Sequence, residues 1–500
     1  MHDKREGANV NQRIQLQPKH KKTAVNTRAR RIPLCVDLDG TLIRSDILLE
    51  SFCALIRQRL RSVALIPFWL LSGKAHLKQQ IADRVKLDVT VLPFRKEFVD
   101  YLRTQQRQGR RLILVTASNE KFAREISDHL GLFDDVLASN TKVNLSGKKK
   151  SELLRSKFGD AGFDYAGNAR IDLKIWRHAR RAILVGSRPD VAMSAREITT
   201  IDRTFENQPR KAIDYLRAMR PHQWSKNFLL FVHLFAAHEW FNSQLIGQTA
   251  VAFISFSLCS SSVYLLNDLL DLDSDRHHPQ KRFRPLAAAS VPIGHAFTMI
   301  PVLLVGAFST ALFLPIEFLL VLAIYYAVTM AYSVRLKRIT ILDVLTLAGL
   351  YSLRIIAGAS VVPEMPSFWL LALSMFLFFS LAIIKRYTEL LAIAGKGLSS
   401  AKGRNYNVID LETLISLGIT SGYMSVLVLA LYIDTPDADS AYTYHQVLWL
   451  LCPLLMYWLA RIWLVTRRGQ MHEDPLVYAI KDWRSRMVAV IGIIIVIIAA

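Results

Sequence analysis

Apolar residues follow two regimes along the chain. Before about residue 225 they come in short runs between charges, and after it uncharged stretches recur, each of the ~20 residues a helix needs to cross ~30 Å of hydrocarbon. The pattern predicts nine membrane spans, roughly 226–243, 245–266, 291–311, 315–334, 341–361, 367–384, 412–432, 446–466 and 487–500. Ahead of them, Ile32–Val36 and Leu112–Val115 read as β-strands, and their alternation with amphipathic helical stretches predicts a parallel sheet. Residues 1–31 are polar and basic without apolar periodicity, which predicts a disordered tail and no secretory signal. The expected organisation is multidomain: the tail, an α/β domain over 32–205, a linker or interfacial helix over 206–225, and an all-α polytopic membrane domain over 226–500.

Charge adds direction to this picture. The formal net charge is +22, but its distribution argues against nucleic acid. Basic residues crowd alternate loops: Arg276 to Arg284; Arg335, Lys337 and Arg338; Lys385 to Arg404; Arg467 to Arg486. The intervening loops, around Glu239, Pro315, Glu364 and Asp434–Asp439, hold no Lys or Arg. By the positive-inside rule this places the front domain and the basic loops on the cytoplasmic side of the inner membrane, with anionic lipid and phosphate as natural partners. Cys35, Cys53, Cys259 and Cys452 form no metal-ligand or disulfide spacing.

The segment Asn267-Asp268-Leu269-Leu270-Asp271-Leu272-Asp273-Ser274-Asp275 carries the clearest chemistry. At 3.6 residues per turn, positions 268, 271 and 275 share one helical face with Asn267 beside them. Carboxylates stacked this closely at the end of a span repel unless a cation sits among them. Magnesium bridging a pyrophosphate satisfies that need, because hard oxygen ligands suit it and phosphate oxygens complete its shell. Lys281 and Arg284 follow and are expected to neutralise a departing pyrophosphate.

In the front domain, the strand ending at Val36 delivers Asp37 and Asp39 at i and i+2 before Gly40, aiming both at one point beyond the strand end. Thr116 ends the second strand, Lys150 precedes a helix, and Asn168 and Asp172 follow Gly167. This ordered set resembles the haloacid dehalogenase superfamily of aspartyl-phosphate phosphotransferases. The resemblance implies Asp37 as nucleophile, Asp39 as general acid/base, Thr116 and Lys150 as phosphoryl ligands, and Asp37, Asp39, Asn168 and Asp172 around magnesium. Asn168 stands where the family has an acid, and an amide brings no negative charge, so metal affinity should fall. The Val63–Leu71 run between Arg59, Arg61 and Lys74 falls where that superfamily carries a helical cap. It is too short to span a bilayer, and reads as a helix buried within the cap, with a place on the membrane surface as the alternative.

The rear domain resembles the UbiA superfamily of intramembrane prenyltransferases. That family typically has a second aspartate pair after its sixth span, where this chain has Lys385-Arg386-Tyr387-Thr388-Glu389. Together with Arg220-Pro221-His222-Gln223-Trp224-Ser225-Lys226-Asn227, Lys337, Leu342-Asp343 and Leu353-Arg354-Ile355-Ile356-Ala357-Gly358, this is similar to the polyprenyl-phosphate phosphoribosyltransferase branch. The resemblance implies Asp268 and Asp271 as catalytic, with Asp275 as a further magnesium ligand. Asn267, Lys281, Arg284, Lys337, Asp343, Arg354, Lys385, Arg386, Glu389 and Lys226 would bind a phosphoribosyl donor and a polyprenyl phosphate. Arg354 reads either as a substrate ligand or as an ion-pair partner of Asp343, and Lys226 either as a ligand or as an interfacial snorkeller. The alternatives are prenyl transfer to an aromatic or other small acceptor, and a non-catalytic transporter or scaffold. No role is apparent for His472 or Asp474, and the oligomeric state is not legible.

Overall fold

The computed structural model describes residues 32–141, 143–207, 211–364, 366–395, 397, 399, 405–471 and 474–500. The expected disordered tail, His472 and the basic residues Lys396, Lys402 and Arg404 lie outside the described residues. The chain divides into two compact units, Met1–Pro209 and Arg210–Ala500.

The front unit is built on a six-stranded parallel sheet of β1 (Leu34–Val36), β2 (Leu112–Asn119), β3 (Asp135–Ser139), β4 (Asp164–Gly167), β5 (Arg181–Val185) and β6 (Thr200–Phe205). Their order is β3-β2-β1-β4-β5-β6, and every pairing is parallel. Because side chains alternate across a strand, Leu34, Val36, Leu112 and Leu114 enter the core on one face. Cys35, Ile113 and Val115 enter the core on the other. Burial on both faces is why these strands read as unbroken apolar runs.

Between β1 and β2 the chain forms the cap: helix Ile47–Gln58, a 3₁₀ stretch Leu60–Leu65, helix Ile66–Leu71 and helix Lys74–Arg84. Asp46 caps the first by accepting from the Leu48 and Leu49 amides at 2.8 and 3.1 Å. The helix Ile66–Leu71 is not the buried helix expected from its composition. Trp69 is buried under the Arg84 guanidinium and Ile66 packs on the core, whereas Leu65, Phe68, Leu70 and Leu71 are exposed. A helix this short offers one inward pair, i and i+3, so the rest of the run faces out.

The rear unit is all-helical. Among the described residues seven helices are long and apolar enough to cross a membrane: Ser243–Leu270, Ile293–Ala311, Ile316–Val334, Leu342–Ala359, Phe368–Ala394, Val408–Ile433 and His445–Arg467. Two of the nine expected spans are not among these seven. The ninth lies in the 17-residue helix Trp483–Ala499. The first is broken into a 3₁₀ segment Pro221–Leu230 and a helix Phe231–Ala236, because its polar residues turn inward. Trp224 donates to Ser261 and Asn227 to Ser257, both at 2.9 Å, docking the segment on helix Ser243–Leu270. Gly358 completes the fit, since a Cβ there would collide with the Leu230 carbonyl. All four cysteines are free and buried.

Candidate active site

The front unit gathers its chemistry at the C-terminal ends of β1, β2 and β4, the sheet edge where open α/β folds bind ligands. The Lys150 ammonium lies 2.6 Å from Asp37 Oδ1 and donates to Tyr165 Oη at 3.1 Å. Asp39 accepts from the Ile47 amide at 2.8 Å and from Ser118 Oγ at 2.6 Å, with Thr116 Oγ1 at 3.4 Å. Burial, reinforced by the carboxylates of Asp46 and Asp37, pushes Asp39 up to about 7, so it can exchange a proton near neutrality.

Two expected magnesium ligands are engaged elsewhere. Asp172 is buried, and its Oδ2 accepts from the Asn168 and Ala169 amides at 3.0 and 2.9 Å while Tyr165 donates to Oδ1 at 3.3 Å. Asn168 accepts from Thr41 Oγ1 at 3.2 Å and lies over Gly40, whose φ of +74° and lack of a Cβ make room for the amide. The expected ligands left are the carboxylates of Asp37, already on Lys150, and Asp39, already accepting from Ile47 and Ser118, a sparse set for a divalent cation. Sequence reasoning missed Ser118, Tyr165 and Lys78, which donates to the Ala117 carbonyl at 2.6 Å; none belongs to a recognisable spacing.

In the rear unit the helix carrying the carboxylates is interrupted. Helix Ser243–Leu270 ends at Asp271, and a short helix Leu272–His277 follows. The shared face survives in part. Asp268 and Asp275 converge on Arg284 Nη1 at 3.2 and 2.6 Å, and Asp268 also pairs with Arg220. Asp271 turns instead to Lys337 Nζ, 3.3 Å away. Burial raises the Asp275 carboxyl above its usual value against the pull of Arg284. Lys281 is exposed, and Asn267 lies at the partly buried edge of the same turn. Two hard carboxylates, Asp268 and Asp275, converge on one guanidinium while Asp271 sits on Lys337; oxygen donors of this kind suit magnesium.

A second cluster sits around Asp474, which accepts from Lys226 at 2.7 Å and Lys385 at 3.1 Å. Burial would raise Asp474, but the two ammonium groups outweigh it and hold the carboxyl below the usual range. Lys226 is therefore buried and paired rather than an interfacial snorkeller. Arg354 is also buried, but it is not the partner of Asp343. Its guanidinium donates to Asn227 Oδ1 at 3.0 Å, the Leu350 carbonyl at 2.5 Å and Tyr325 Oη at 3.0 Å, with the Phe256, Tyr325 and Tyr351 rings around it. All three acceptors are neutral. The carboxylate of Asp343 instead lies 2.6 Å from Arg386 and accepts from Tyr406 at 2.5 Å, while Arg386 also holds Glu389.

Asp474, Arg220, Tyr325 and Tyr406 were not foreseen as site residues. Arg220 had a local signal, since it opens the Arg-Pro-His-Gln-Trp stretch. Asp474 had none, because its partners lie far away in sequence.

Known proteins carry the same two patterns. The pattern of the UbiA prenyltransferase family matches residues 228–481, and that of haloacid dehalogenase-like hydrolases matches residues 34–162. The uncharacterized protein y4nM of Sinorhizobium fredii is 36% identical over 460 residues, covering 91% of this chain and 89% of that one. Nodulation protein NoeC of Azorhizobium caulinodans is 32% identical over 281 residues, 56% of this chain and 90% of its own. Decaprenyl-phosphate phosphoribosyltransferase of Corynebacterium glutamicum is 30% identical over 260 residues, 49% of this chain and 76% of its own.

Proposed function

The chain belongs to the UbiA prenyltransferase family, an integral membrane enzyme family, and from that premise we propose that it transfers 5-phosphoribosyl from phosphoribosyl pyrophosphate to a polyprenyl phosphate. The observation that carries this reading is the charge at the second acidic position. There Lys385 and Arg386 stand with a single acid, Glu389, already bound to Arg386, and Lys226 joins Lys385 around Asp474. A donor bearing a 5-phosphate besides its pyrophosphate calls for that balance. The similarity to decaprenyl-phosphate phosphoribosyltransferase supports the same choice.

The bond broken joins C1 of the ribose to pyrophosphate, and the bond formed joins C1 to a phosphate oxygen of the lipid. That oxygen is already anionic, so no general base is needed. Magnesium held by Asp268, Asp271 and Asp275 would neutralise the pyrophosphate. Arg284, Lys281 and Lys337 take up charge as the leaving group departs, and Arg354 and Lys226 align the two phosphates across the developing oxocarbenium ion. The basic loops support a cytoplasmic position for this chemistry. Membranes given labelled phosphoribosyl pyrophosphate and polyprenyl phosphate should form a labelled lipid and release pyrophosphate. Pyrophosphate release only with a polyprenyl diphosphate and an aromatic acceptor would refute the proposal.

The front unit then has a substrate of matching chemistry. The lipid product retains a 5-phosphate monoester; Asp37, poised on Lys150, is arranged to attack such a phosphorus while Asp39 protonates the leaving alcohol, and water then hydrolyses the aspartyl phosphate to free phosphate. An Asp37→Asn variant should convert the lipid output to its phosphorylated form. An unchanged ratio of phosphorylated to dephosphorylated lipid would assign this unit another substrate.

A further inference from the structure

The Leu60–Leu71 run presents an apolar surface that its own fold does not use. Leu60, Leu65, Phe68, Leu70 and Leu71 are exposed, Leu71 to 86%. The helix cannot roll them inward, because Trp69 on its opposite side is already buried under Arg84 at 4.7 Å. Single exposed leucines are ordinary, whereas a contiguous set marks an interaction surface.

Charge selects the occupant. From Ser51 through Ala82 the chain has no aspartate or glutamate, but it has Arg57, Arg59, Arg61, Lys74 and Lys78. Lys78 turns in to the Ala117 carbonyl, while Arg59, Arg61 and Lys74 are exposed and bracket the apolar run. An apolar strip rimmed by cations matches the boundary between acyl chains and anionic headgroups. The chain also brings its own bilayer: the front unit's last strand ends at Phe205, and the first spanning helix starts at Ser243. We propose that the Leu60–Leu71 run docks the front unit on an anionic bilayer surface, with Phe68, Leu70 and Leu71 entering the headgroup–acyl boundary. The run is too short to span, so it lies in the interface, ~5–10 Å deep.

The full chain in vesicles tests this directly. Since the native cysteines are buried, Leu71→Cys can carry an environment-sensitive fluorophore, with Met193→Cys, also at an exposed position, as the reference. In phosphatidylglycerol vesicles the label at 71 should shift to the blue and be quenched by acyl-chain nitroxide lipids, while the label at 193 does neither. Adding Phe68→Glu and Leu70→Glu should abolish the quenching at 71. Quenching should also be weaker in phosphatidylcholine; equal quenching in the two lipids would overturn the electrostatic half of the proposal. Quenching at 71 no greater than at 193 overturns it entirely. So does a blue shift without lipid quenching, which would mean that protein, from this chain or a second copy, covers the run.

Discussion

Replacing Asp268 and Asp271 together by alanine should reduce transferase turnover by at least ~10³-fold, since the loss of one preorganised charge-stabilising group costs ~10²–10³. The two carboxylates belong to one acid cluster but have different cationic partners: Asp268 holds Arg220 and Arg284, while Asp271 holds Lys337. Alanine at both positions therefore removes two of the three ligands for the cation and also frees Arg220 and Lys337, with Arg284 left on Asp275 alone, to collapse onto any bound phosphate. Asparagine variants separate these effects, because an amide preserves the shape and a hydrogen bond to the guanidinium but removes the negative charge. Asp271→Asn should raise the magnesium concentration needed for half-maximal turnover, and excess magnesium should rescue it in part. The measurement is pyrophosphate release from detergent-purified protein whose elution profile matches the parent. Unchanged release in the double variant would remove the acid cluster from the mechanism, whereas no release from parent or variant would favour a transporter or scaffold.

Much of this arrangement was legible because it rests on short-range periodicity. Asp37 and Asp39 follow a strand at i and i+2, so spacing alone brings them together, while Asp268 and Asp275 keep their expected proximity through Arg284 although the helix between them is broken. Hydropathy located the long helices for a similar reason. A span is a local property of its own residues, whatever surrounds it. Tertiary pairing overrode local pattern elsewhere. Residues 226–243 are apolar enough to suggest a span, yet Lys226 and Asn227 bond to Asp474, Ser257 and Arg354, and the segment breaks into short helices to reach them. Of the two readings of Arg354, pairing with Asp343 rested on both being charges on one helix; its acceptors Asn227 and Tyr325 are neutral residues on other elements. The cap helix failed in the opposite direction. Its composition reads as core, but a six-residue helix has too little circumference to bury all its apolar positions.

The pairing of Asp343 with Arg386 leads to the second large effect, one on stability. Both side chains are essentially fully buried, at 0% and 1% exposure, and they join helix Leu342–Ala359 to helix Phe368–Ala394, with Tyr406 closing the group. Removing one partner of a buried ion pair leaves an uncompensated charge and costs ~3–5 kcal/mol, whereas replacing both by apolar residues of similar volume is often close to neutral. Asp343→Asn leaves Arg386 only the partly exposed Glu389, so it should destabilise the rear unit towards the lower end of that range, lowering its unfolding midpoint in detergent by roughly 10 °C. The double variant Asp343→Leu with Arg386→Met should recover most of the loss. If these residues instead bind the donor, the outcome separates cleanly: Asp343→Asn would melt like the parent but show a raised KM for phosphoribosyl pyrophosphate, and the double variant would remain just as impaired. A lowered midpoint that the double variant restores assigns Asp343 and Arg386 to holding these helices in register. The phosphate contacts would then fall to Lys226, Lys385 and Arg354, of which Arg354 already has only neutral acceptors.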